Sequence, residues 1–158
     1  MKSRCFPLIL TSTVKVHGMY VICHISVVSP DKLWVSTRWT LQQLDGTGHV
    51  IRTLDDKYKY NLESGGHTVS VDGDLVFIAR FCNSVDSTAS DGLDSRYGIQ
   101  KMSSDGNTTT LLRIPDLKAI SIHSSRINGD LLIGLTNDSS PREGQVMRCD
   151  KTGKKIGD

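Results

Sequence analysis

The stretch HTVSVDGDLVFIAR, residues 67–80, follows the same frame as HISVVSPDKLWVST, residues 24–37. In both, a histidine is followed seven residues later by an aspartate, Asp74 or Asp31, and then by an apolar run that ends in a small residue. INGDLLIGLT, residues 127–136, carries a third copy, with Asp130 ahead of Leu131, Leu132 and Ile133. A repeat of this kind outranks any single motif, because it means that one supersecondary unit is stacked on copies of itself.

A second landmark recurs behind the first. LQQLDGTG (41–48), IQKMSSDG (99–106) and VMRCDKTG (146–153) align without gaps and end on Gly48, Gly106 and Gly153. Each reads as a strand closed by an Asp and Gly turn, and HVIRTL (49–54) and NTTTLLRI (107–114) follow as further strands. Apolar helical periodicity is not sustained over ten residues anywhere, whereas Val, Ile, Thr and aromatic clusters recur between turn signals. The expectation is an all-β chain, a partial β-propeller of about three four-stranded antiparallel blades.

From aspartate to glycine the units span 17, 32 and 23 residues. The flanking strands align, so the extra length falls between the second and third strands, on one face of each unit, and such a face is often the binding face. The boundaries expected are an amino-terminal segment with a strand completing a preceding blade at 1–19, then blades at 20–54, 55–114 and 115–158. Three blades do not close a ring of the usual four to eight. TGKKIGD (152–158) stops where a fourth strand should begin, so the expectation is an arc of a larger ring, with unpaired edges that favour self-association.

The bulk properties exclude several classes. No stretch approaches the ~20 apolar residues of a membrane span. The net charge is +2 and the nineteen Lys and Arg are scattered, so no basic block marks a phosphate-binding face. MKSRCFPLIL at the start has too short an apolar run for a signal peptide, which points to the cytoplasm, where Cys5, Cys23, Cys82 and Cys149 read as thiols rather than a disulfide frame.

HISVVSPDKLWVS, GGHTVSVDGDLVFIA and GDLLIGL, each followed by the turn and glycine strand, resemble the NHL-like six-bladed propeller of invertebrate tripartite-motif proteins. The literal Asn-His-Leu tripeptide is absent. The resemblance implies a platform that recruits a ubiquitination substrate or another protein partner, while ligase chemistry belongs to an amino-terminal RING finger. A RING needs eight Cys and His ligands at strict spacings, and none are so arranged here. Catalysis by this chain is therefore not expected; RNA binding is the alternative implied by the resemblance, and a channel-site lyase or hydrolase a more distant one.

His24, His67 and His123 each precede an aspartate by seven residues, so three imidazoles could in principle meet as zinc ligands; half-buried strand positions are the simpler account, and no metal or other cofactor is expected. Asp31, Asp74 and Asp130 read as turn residues accepting backbone N–H groups. There is no G-x-S-x-G and no P-loop. Trp34, Phe77 and Ile133 occupy equivalent frame positions and should pack between blades. The aromatics outside the frame stand beside cations: Arg38 and Trp39, Arg80 and Phe81, Arg96 and Tyr97, with Tyr58 and Tyr60 in DDKYKYN. Arginine beside an aromatic favours interface hot spots, so these eight residues are the candidate partner-binding set.

Overall fold

A computed structural model of the chain describes residues 13, 15–55, 62, 66–81, 97–137 and 143–157. Among these, eleven strands form three antiparallel sheets and there is no helix. The first sheet runs in the order β1 (His24–Ser29), β2 (Lys32–Ser36), β3 (Thr40–Asp45) and β4 (Val50–Asp55). The second repeats that order with β5 (His67–Val69), β6 (Leu75–Arg80), β7 (Tyr97–Met102) and β8 (Thr108–Ile114). The third holds β9 (Lys118–Ser124), β10 (Leu131–Thr136) and β11 (Gly144–Cys149). The fold is thus all-β, a partial propeller of three meanders. Among the described residues no helix is long and apolar enough to cross a membrane.

The glycine turns are copies of one another. Asp45 N–H donates to His49 O at 3.0 Å, Ser103 N–H to Asn107 O at 3.0 Å, and Asp150 N–H to Lys154 O at 2.8 Å. Gly48, Gly106 and Gly153 sit at φ of 91°, 91° and 90°, a left-handed conformation that glycine adopts without a Cβ clash. In the third sheet the turn leads to a single bridge, Cys149 opposite Lys155, and Ile156 N–H donates to Arg148 O at 2.9 Å.

Two cores lie between the sheets. Leu75, Phe77, Ala79 and Met102 of the second sheet join Trp34, Leu41 and Leu62 in one cluster. Val76, Ile78, Tyr97 and Ile99, from the other face of the same sheet, join Ile122, Leu131, Ile133, Leu135 and Cys149 in the other. The middle sheet is covered on both faces, which is why β6 reads as a continuous apolar run rather than an alternation. Each large side chain so buried contributes about 1.5–3 kcal/mol.

One expected equivalence is displaced by a residue. Phe77 pairs with Gln100 and Ile133 with Met147, but Trp34 pairs with Gln43, and it is Val35 that faces Gln42. Gln42, Gln100 and Met147 hold the same place ahead of the glycine turn, so Val35 is the true counterpart. The cause is turn length: Ser29 pairs directly with Lys32 across Pro30 and Asp31, whereas Ser70 bonds to Asp74 and Ser125 to Asp130 across longer loops. Trp34 remains buried, against the second sheet.

Candidate partner-binding surface

Register puts the variable loops at one end of every sheet. Ser36 pairs with Leu41 and Thr40 with Asp55; Arg80 pairs with Tyr97 and Tyr97 with Ile114; Thr136 pairs with both Gly144 and Lys118. The loops between second and third strands therefore leave from the same end as the links between sheets, and the glycine turns occupy the other end. The sheets stack with like ends together: Arg52 Nη2 of β4 donates to Ser104 O in the second sheet's turn at 3.5 Å, and a β-carbon on Gly153 would strike the backbone of Leu111 in β8.

At the loop end of the first sheet, Arg38 lies over the Trp39 ring, 4.9 Å from its centroid, and Trp39 is 56% exposed. The loop is held by Thr37, whose hydroxyl accepts from Trp39 N–H at 3.1 Å and Thr40 N–H at 3.0 Å while its own N–H donates to Thr40 O at 2.8 Å. A hydroxyl accepting from nearby backbone N–H groups fixes a tight loop, so the exposed pair is presented by a closed frame.

The other aromatics are stacked differently from their order in sequence. Phe81 has Arg113 of β8 over its ring at 4.6 Å, and Tyr97 has Lys118 of β9, with Nζ 6.0 Å from the centroid. Successive residues of an extended chain project to opposite sides, so a cation next in sequence is seldom the one that stacks; it comes from a neighbouring strand. Phe81 rests on Gly98, where a β-carbon would collide with its ring and with Leu112 O. Tyr97 is 5% exposed, within the core between the second and third sheets. Arg80 is half-buried at the end of β6. Tyr58, Tyr60 and Arg96 lie outside the described residues. Arg113 and Lys118 were not legible as partners; a register for β7 and β8 would have placed Arg113 opposite Gly98, next to Phe81.

The histidines do not form a trio. His24 pairs with Ser36, His67 with Phe77 and His123 with Leu132, three different levels of their sheets. His24 and His67 meet edge to face across the first seam, with ring centroids 4.7 Å apart. His67 is 0% exposed, its Nε2 is 3.3 Å from Trp34 O, and Ser26 Oγ donates to its carbonyl at 3.1 Å. Burial lowers the pKa of His24, and the charge of His123 lowers it further. Among the described residues no three His, Cys, Asp or Glu side chains are grouped as metal ligands.

Asp74 and Asp130 bind side chains, while the Asp31 carboxylate also accepts from its own backbone N–H, as a turn residue should. Asp74 pairs with Lys101 at 2.9 Å, Asp130 accepts from Arg148 Nε at 2.7 Å and from Asn128 at 2.8 Å, and Asp31 accepts from the Ser29 hydroxyl at 2.7 Å. Lys101 and Arg148 hold the same place in the repeat, where the first sheet has Gln43. Cys149 is buried and its thiol pKa is raised, chiefly by burial, which makes it a packed side chain rather than a nucleophile. Compared with known proteins, the chain matches no family model and no curated protein.

Proposed function

We propose that this chain is a non-catalytic, cytoplasmic partner-binding module that engages another protein through the loop end of its sheets. The observation that carries this reading is the Arg38–Trp39 pair, exposed yet fixed by Thr37. A large aromatic held in place before binding loses little entropy when it is covered, which is the character of an interface anchor. The resemblance to tripartite-motif propellers supplies the wider role, recruitment of substrates to a ubiquitin-ligase module outside this chain.

A photo-crosslinking amino acid at Trp39 and, separately, at Thr47 in the opposite turn tests the proposal in cell extract. Protein adducts concentrated at position 39 are the expected outcome. Equal labelling at both positions, or adducts at 39 that ribonuclease removes, would overturn it.

A further inference from the structure

We infer that the loop end is built to take an acidic peptide segment, recognised through the guanidinium groups of Arg38 and Arg113; this rests on the protein-binding reading above. Both groups lie over aromatic rings, at 4.9 Å on Trp39 and 4.6 Å on Phe81. Among the described residues neither guanidinium has a hydrogen bond or ion pair. A guanidinium over a ring face is attracted to it without using its N–H donors, which stay available as the fork that matches a carboxylate. Stacking also restricts the side chain beforehand, so less freedom is lost when the carboxylate arrives.

Arg38 and Arg113 are placed differently from three paired cations at the turn end. At the turn end Lys101 has Asp74, Arg148 has Asp130, and Lys151 has Asp72 at 3.7 Å. These charges are met within the chain. At the loop end Arg38 and Arg113 have ring faces in place of carboxylates, which leaves their hydrogen-bonding capacity for a partner.

A carboxylate partner fits this surface better than a nucleic acid. Single-stranded RNA needs aromatic faces free to stack on successive bases, along a basic track. Here Phe81 lies between Gly98 and Arg113, Tyr97 is buried, and Trp39 already carries Arg38 on one face.

The test measures fluorescence anisotropy with three labelled probes: octa-glutamate, octa-glutamine and octa-uridine RNA. Octa-glutamate is expected to bind at least about tenfold more tightly than the other two, the ratio given by one lost charge-assisted contact. Arg38→Gln and Arg113→Gln should each weaken it about tenfold, while Arg113→Lys, which keeps the charge but not the fork, should recover only part of the loss. Both residues are exposed, and a circular dichroism melt verifies that each variant folds. Glutamate binding no tighter than glutamine, or unaffected by both Gln variants, would overturn the inference. If octa-glutamine binds equally well and Trp39→Ala abolishes it, the protein-binding reading survives and only the acidic preference fails. Binding of the RNA alone would sink both.

Discussion

His67 packs with its ring edge-on to His24, and its Nε2 meets the carbonyl of Trp34, so one imidazole ties the second sheet to two strands of the first. This junction makes the seam sensitive to acid. The folded pKa of His24 lies below 6.5, through burial and the nearby His123. Between the two values the unfolded chain binds more protons, so the contribution of His24 is complete above 6.5 and is lost as the pH falls toward the folded value. Thermal melts from pH 8 to pH 5 should show a declining Tm, and His24→Phe should flatten that decline. An imidazole proton titration for His24 with its midpoint at or above 6.5 would contradict this.

The glycine turns add a second acid-sensitive contribution, at lower pH. Asp150 has a lowered pKa, first because the Thr152 hydroxyl donates to it and then through Lys154 N–H. A depressed carboxylate stabilises the fold above its unfolded pKa, near 3.8, and that contribution vanishes as the pH falls through the folded value. Thr152→Val should move the Asp150 titration, followed by carboxyl NMR, back toward 3.8.

Between the sheets, side-chain volume should dominate stability. Phe77→Ala is expected to cost about 3–5 kcal/mol in urea unfolding, because it empties the centre of the first seam. Ile133→Val, at the matching place in the second seam, should cost about 0.5–1.5 kcal/mol. A Phe77 variant within 1 kcal/mol of the parent, by the same scale, would show that the two sheets do not pack as described.

Two glycines separate strain from close contact. Gly73 and Gly153 both have positive φ, 85° and 90°, but a β-carbon at Gly73 meets nothing within 4 Å while one at Gly153 strikes Leu111. Gly73→Ala should lose about 1 kcal/mol from backbone strain alone. Gly153→Ala should lose more, by about 1–3 kcal/mol for the forced repacking. Equal losses in equilibrium unfolding would show that Gly153 does not seat the third sheet on the second.

The local parts of this fold were open to reading along the chain. Glycine turns, β-branched strands and the alternation that sends Phe77 one way and Val76 the other depend on residues within a few places of each other, and backbone sterics acts over that distance. The repeat frame was legible for the same reason, and so was the position of the variable loops between second and third strands.

Register and partner choice were decided only in three dimensions. Equal spacing from histidine to aspartate left three equivalent imidazoles conceivable, but turns of unequal length absorb different numbers of residues, so His24, His67 and His123 emerge at different levels. Phe81 stands beside Arg80 in the chain and under Arg113 in the fold, because adjacent strand residues diverge while strands far apart in sequence lie side by side. What the sequence by itself determined was each hairpin; which side chains meet across the hairpins followed from the pairing and stacking of sheets, where short-range rules no longer apply.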